Sequence, residues 1–416
     1  MIFLLLPSKS PTVQLSCATA TLTLELMMNK PAGDADYCMR VIGDLATIGD
    51  AAWNALVAKS GRGNPFLRYE FLHALHATGC AAPRAGWEMQ YLTLWDYEEL
   101  VGAVPLYRKH HSYGEYVFDW AWASAYQQHG VEYYPKWLAA VPFTPVPGTR
   151  LIAGDARART VLADELLSHT RKSGLSSLHV LFAPSDEIEP LATAGLLTRR
   201  AVQFHWFNPG YSSFDDYLAA LAQPKRKKIR AERRKVSTNE ISFERKVGRD
   251  IRETDWNLFI RCYATTYAAH YSTPYLNRRF FLQIAESMPD NLLMVTAHRD
   301  QQPIAAALAL FDDQRLYGRY WGALQFVPCL HFETSYYQMI EFAIERELKV
   351  FEGGAQGEHK LARGFEPVTT YSSHWLAHPA FADAVERYLQ HETGGIEAYV
   401  DELNERSALR TPSSVE

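Results

Sequence analysis

Cysteine is scarce and scattered in this 416-residue chain: Cys17, Cys38, Cys80, Cys262 and Cys329 are odd in number and form no C-x-x-C pair. That argues against a disulfide framework and against zinc or dithiol chemistry; a cytoplasmic, reducing compartment and no metal site are expected. Net positive charge is missing too. With 42 basic against 47 acidic residues the chain carries −5, which excludes a protein that coats nucleic acid by overall charge. No transmembrane segment is expected: Ile2 to Leu6 falls far short of the ~20 apolar residues that cross a bilayer. No cation precedes that run, so it does not read as a signal peptide either. The strand–turn–helix signature of a serine nucleophile elbow is also lacking.

What is present is a globular composition, 47% apolar and 21% charged, on a chain long enough for more than one core. Residues 1–38 have no apolar period and read as an unstructured extension, with Met28 and Met39 as alternative starts. Beyond them the chain repeats itself. A hairpin runs from Tyr91 through Leu100–Val104 toward Tyr113-Gly114-Glu115-Tyr116, and a second runs from Leu292 through Pro303–Ala307 into Tyr317-Gly318-Arg319-Tyr320. Each half then gives a helix, a buried strand and a closing His-Trp pair, His205-Trp206 and His374-Trp375. This repetition predicts two copies of one mixed α/β module, residues 39–207 and 208–396, followed by a tail over 397–416 that is loose from Ser407. Tyr113–Trp122 is expected as a strand, and the two histidines as structural.

The richest stretch is Tyr317–Pro367. Tyr336, Ile340, Ile344 and Leu348 recur every four residues, which predicts an amphipathic helix, and Val350-Phe351 predicts a short buried strand after it. Strand, helix, strand implies a parallel pair with a right-handed crossover, and ligands collect beyond the carboxyl ends of such strands. The polar residues there are Glu352, Gln356, Glu358, His359, Lys360 and Arg363, with His331 and Glu333 ahead of the helix. Glu333, Glu358, His359 and Lys360 are the candidate catalytic set, as base, amine anchor or carbonyl partner; His331, Glu352, Gln356 and Arg363 are candidate substrate contacts. An ion-pair network that merely fixes the turn is the competing reading.

Two further clusters stand out. Pro224–Lys235 holds eight basic residues and one acidic one in twelve. Ser213 and Pro224 predict the starts of two successive helices, the second basic, with Lys225, Arg226, Lys228 and Arg230 as candidate donor-phosphate contacts unless they are simply a solvated face. Tyr263, Tyr267 and Tyr271 fall at helical spacing and are expected to be core or the wall of a substrate pocket.

The runs Asn64-Pro65-Phe66-Leu67, His111–Trp120 (HSYGEYVFDW), Val141-Pro142-Phe143-Thr144-Pro145 and Gly354–Lys360 (GAQGEHK) resemble the FemAB-like family, whose members are often labelled GNAT-type N-acyltransferases. The resemblance spans residues 39–396 and implies tandem GNAT-like modules, in agreement with the repeat. It implies kinship with the Fem-type aminoacyltransferases of peptidoglycan synthesis and with leucyl/phenylalanyl-tRNA-protein transferase, which move an aminoacyl group from tRNA to an amine. Arg226–Arg230, within K-R-K-K-I-R, is similar to the basic segment of those relatives. One departure matters: the Q/R-x-x-G-x-G/A loop that holds coenzyme A in a GNAT is replaced by Val327–Glu333, which has no glycine and carries a carboxylate. The expected function is therefore acyl or aminoacyl transfer to a small-molecule or peptide amine, related to peptidoglycan precursors. No cofactor is fixed, and aminoacyl-tRNA or acyl-CoA is the candidate donor. The alternatives are a non-catalytic module that recognises a peptide or cell-wall precursor, and an acyl-CoA-dependent N-acetyltransferase.

Overall fold

A computed structural model describes residues 37–354 and 357–410; the expected N-terminal extension lies, but for its last two residues, outside the described residues. The first half contains β1 (Cys38–Ile42), α1 (Asp50–Lys59), α2 (Tyr69–Ala77), β2 (Trp87–Met89), β3 (Tyr91–Asp96), β4 (Glu99–Val104), β5 (Leu106–Lys109), α3 (Trp120–Gln128), β6 (Lys136–Ala139), β7 (Ile152–Ala153), α4 (Ala156–Ser173), β8 (Ser177–Ala183), α5 (Ser185–Ala194) and β9 (Leu197–Phe207). The second contains α6 (Phe214–Ala220), α7 (Gln223–Ser237), β10 (Ile241–Val247), α8 (Glu253–Ala269), α9 (Arg278–Ser287), β11 (Leu292–Arg299), β12 (Gln302–Phe311), β13 (Arg315–Ala323), α10 (Leu330–Phe332), α11 (Gln338–Glu345), β14 (Val350–Glu352), β15 (Phe365–Leu376) and α12 (Pro379–Glu405).

Among the described residues these strands form a four-stranded sheet, β1-β3-β4-β7, and an eleven-stranded one, β10-β11-β12-β13-β14-β9-β15-β8-β6-β5-β2. The expected crossover is there: β14 lies parallel to β13, Arg315 opposite Val350. Its counterpart in the first half is β8 parallel to β6. The two halves interlock, because β9 pairs with β14 and β15 pairs with β8, so each half contributes its last strand to the other's edge.

Strand alternation explains the layering. Leu292, Met294, Ala306, Leu308 and Tyr317 turn to one face and share a core with Trp256, Phe259 and Phe280 and with Trp53, Phe66 and Phe71 of the first half. Leu293, Val295, Ala307, Ala309 and Phe351 turn to the other, beneath Tyr336, Ile340, Ile344 and Leu348, the predicted four-residue period. Ser213 caps α6 by accepting from the Asp216 amide at 3.1 Å, and Pro224 sits in the first turn of α7, as expected. Gly322 is a spacing residue, since a Cβ there would stand 1.9 Å from the Cys262 carbonyl oxygen; α8 rests directly on β13.

Two expectations are corrected. Tyr113–Trp122 is not a strand: a turn leads into α3, and β6 occupies the place that β13 has in the second half. Left-handed backbone at Gly114 and Tyr116 bends the chain away from an extended path. Nor does a loose tail begin at Ser407. Residues 397–405 continue α12, Leu409 bridges Leu221, and the Ala408 carbonyl accepts from the Ala222 amide at 2.8 Å.

Candidate active site

Strands β13 and β14 pair over three residues each, Arg315–Tyr317 against Val350–Glu352, after which β13 continues to Ala323 while β14 ends. The parallel pair thus splits open at its carboxyl end. A cavity of about 130 Å³ occupies the split, between Gly318, Tyr320 and Trp321 on one side and Phe351 and Gly353 on the other. His331, Ser335 and Tyr336 close it from the helix side. A π-helical turn over Glu333–Tyr337, wider than an α-helix, carries Ser335 and Tyr336. Ser335 Oγ, in this lining, is buried without a hydrogen-bond partner among the described residues, whereas the Tyr320 ring packs on the other sheet face against Phe259, Tyr263 and Phe281. Arg319 donates from Nη2 to the Phe143 carbonyl at 2.7 Å.

The turn after β14 is a single 3-10 stretch, Glu358–Arg363, stopped by left-handed Gly364. His359 Nε2 lies 3.1 Å from the Tyr336 hydroxyl, and its ring sits beside His331 and Phe332. Partial burial, then the charges of Lys360, Arg363 and Lys228, hold His359 below the ordinary imidazole range. Burial pushes His331 down to about 4, helped by His359. Both rings are neutral at neutral pH. Lys360 is buried, donates to the Gly354 carbonyl at 2.9 Å, and is lowered to about 8 by desolvation.

The other predicted residues divide. Arg363 is a structural pin: it stacks on Phe332 at 3.5 Å, pairs with Glu232 at 2.8 Å and donates to the Tyr337 hydroxyl and the His359 carbonyl. Glu333 is buried and engaged by Arg233 at 2.9 Å and by Gln338 Nε2 at 2.9 Å, so its charge is matched. Glu358 is not brought to the cavity; it accepts from Tyr399 at 2.7 Å and Arg406 at 3.0 Å on the surface. Glu352 lies on the opposite sheet face from Phe351. Gln356 falls outside the described residues. Tyr263 packs at 5.4 Å on Tyr320, and Tyr267 at 4.9 Å on Tyr263, while Tyr271 lies past the end of α8 and is fully exposed. On α7 the single acid, Glu232, turns inward, and Lys228 and Arg230 are exposed with Lys225 and Arg226 half-buried. Arg230 lies 3.6 Å from Asp215.

Sequence reasoning missed a second charged centre, in the first half. Lys136, wholly buried, reaches Glu115 at 2.8 Å, Ser112 at 2.8 Å and Asp119. Tyr133 donates to Asp119 at 2.6 Å and lies 3.0 Å from His179, whose Nδ1 is 2.7 Å from Nδ1 of His374. Burial pushes Glu115 up to about 7 and Lys109 down to about 7. Ser112, Glu115 and Asp119 all come from the string HSYGEYVFDW; that run was the available signal.

The fold is mixed α/β, with two parallel crossovers, β6 to β8 and β13 to β14, in one large sheet. The structure of FemX superimposes with a TM-score of 0.52 at 10% identity, over 82% of this chain and 98% of that one. L-PGS from Bacillus licheniformis gives 0.49 at 9% identity over 82% and 96%. A tandem GNAT protein from the clavulanic acid biosynthesis pathway gives 0.45 at 12% identity over 83% and 99%. At 10% identity the likeness to FemX is one of fold. No curated protein sequence matches. Residues 44–411 match the FemAB-like family, described as peptidoglycan biosynthesis/recognition, and the chain belongs to it. Among the described residues no helix is long and apolar enough to cross a membrane.

Proposed function

We propose that the protein transfers an acyl or aminoacyl group to an amine, with the donor's acyl end in the split between β13 and β14. The observation that supports this is the split itself, at the carboxyl end of a parallel strand pair, where Ser335, with an unpartnered Oγ, and Tyr336, 3.1 Å from His359, line one cavity. A buried hydroxyl left unpaired costs about 1–3 kcal/mol, and an acyl carbonyl entering the split would accept from it. In the reaction the amine nitrogen attacks the acyl carbon and the bond from that carbon to the donor's oxygen or sulfur breaks. The amine proton passes through the Tyr336 hydroxyl to neutral His359. Lys360, next to Gly353, supplies positive charge toward the leaving group. Glu333 is a positioning residue that holds Arg233 and Gln338, and Glu358 ties the turn to α12. Lys225, Arg226, Lys228 and Arg230 receive the donor's phosphates, either a tRNA backbone or a nucleotide diphosphate. The family description makes a peptidoglycan precursor the first acceptor to try.

The test is a thermal-shift screen of acyl-CoAs, aminoacyl-tRNA mimics and UDP-linked precursors, followed by mass spectrometry for a new amide. An amide formed from one stabilising donor supports transfer. The family description also names recognition; stabilisation by a precursor with no amide from any donor would favour that reading.

A further inference from the structure

A larger cavity, of about 440 Å³, continues both walls of the split. On the strand side the split is lined by β13 from Gly318 to Trp321, and this cavity by Trp321, Ala323 and the Leu324–Val327 loop that follows. On the helix side the split is lined by Tyr336, Ser335 and His331, and this cavity by His331 and then by Phe332, Leu330 and Cys329. Trp321 and His331, with ring centroids 4.9 Å apart, are common to both. The end of α8, with Thr265, Thr266 and Ala269, forms a third wall.

The chemistry of this lining is uncharged. Among the described residues no Asp, Glu, Lys or Arg contributes to it. Its polar groups are mostly engaged already: the hydroxyls of Thr265 and Thr266 donate to the Arg261 and Trp321 carbonyls at 2.9 and 2.8 Å, and Gln325 accepts from Arg299 at 3.2 Å. His331, pushed down to about 4 by burial, is neutral. Leu324, Phe326, Val327, Leu330 and Phe332 surround them. A charged group entering here would lose hydration without gaining a partner, whereas an apolar chain gains up to about fourfold in affinity for each methylene it buries.

Charge lies on the other side of the split. There α7 packs on the turn that carries His359, through the Glu232–Arg363 pair at 2.8 Å, and no residue of α7 lines this cavity. A donor with its phosphates along α7 and its carbonyl in the split therefore directs its acyl chain here. The amine acceptor is the poorer occupant, because the lining offers no carboxylate to an ammonium group.

We propose that this cavity binds an uncharged apolar chain, aliphatic or aromatic, and that the chain belongs to the donor's acyl or aminoacyl group. The assignment to the donor rests on the transfer reading; the selection of an uncharged apolar chain does not.

The test is a ligand-observed NMR titration of the full chain with octanamide, whose carboxamide stands in for the reacting carbonyl. The comparison probes are propanamide, 8-aminooctanamide and 7-carbamoylheptanoate, the last two ending the same chain in an ammonium or a carboxylate. Octanamide should bind about tenfold or more tighter than any of the three. Ala269→Trp, at the exposed end of α8, fills the cavity and should remove that advantage. Phe326→Asp, at a residue 91% exposed, should weaken octanamide and strengthen 8-aminooctanamide, and it carries the test should Ala269→Trp fold poorly. Equal binding of octanamide and propanamide, tighter binding of either charged chain by the parent, or an octanamide affinity that survives both variants overturns the site. Octanamide bound as expected, with no amide formed from any donor, would count against acyl transfer and leave the apolar site standing. Transfer at rates indifferent to acyl length, and unaltered in Ala269→Trp, would overturn the site and leave acyl transfer standing.

Discussion

Gly114 and Phe143 clasp each other: a Cβ on Gly114 would stand 2.6 Å from Phe143 Cδ1, and the Phe143 amide donates to the Gly114 carbonyl at 3.2 Å. The Phe143 carbonyl in turn accepts from Arg319, beside the split strands of the other half. Both backbones are left-handed, with φ of 82° at Gly114 and 58° at Phe143. Gly114→Ala should therefore cost about 1–3 kcal/mol from strain and overpacking, seen as an earlier midpoint in urea unfolding. An unchanged midpoint would mean that the clasp is slack.

Lys136 is the hub of the buried charges in the first half. Lys136→Met leaves Glu115 and Asp119 without their cation in the core and should destabilise by about 3–5 kcal/mol. Adding Glu115→Gln and Asp119→Asn to Lys136→Met should restore part of that loss, because the neutral set no longer buries unpaired charge. Denaturant unfolding of the single and triple variants measures both.

Burial, offset in part by Arg315, raises Glu352 from 4.5 to about 7. The folded state then holds this proton more tightly than the unfolded state does. The stability it contributes is complete below pH 4.5 and is lost as pH climbs to about 7. Melting curves of parent and Glu352→Gln across that window should converge or cross as pH rises, with the parent losing more. Glu115, raised to about 7, titrates in both proteins and cancels in the difference.

The exposed face of α7 is expected to be a contact rather than a structural surface. Reversing Lys225, Arg226 and Arg230 to Glu should leave the melting temperature nearly unchanged and should abolish binding of a phosphorylated donor at low salt. Unchanged affinity would return α7 to a solvated face.

Local patterns carried much of the fold. The four-residue apolar period announced the helix behind the split, and Ser213 and Pro224 marked helix starts. What stayed hidden depended on partners far along the chain. Glu333 reads as a free carboxylate until Arg233, a hundred residues earlier, is seen to hold it. The string HSYGEYVFDW alternates like a strand, yet left-handed Gly114 and Tyr116 break the extended path, and Glu115 and Asp119 both pair with Lys136. The exchange of β9 and β15 between halves is a pairing choice to which neither strand's own residues testify.

The claim that acyl transfer occurs at the split stands most directly on His359, because it is a neutral base 3.1 Å from a hydroxyl that lines the cavity. The decisive measurement is the rate of amide formation by His359→Ala, on whichever donor the screen selects, with circular dichroism and melting temperature recorded on the same preparation. A fall of about a hundredfold to ten-thousandfold at unchanged fold is the predicted result. A variant that folds and turns over like the parent would contradict it.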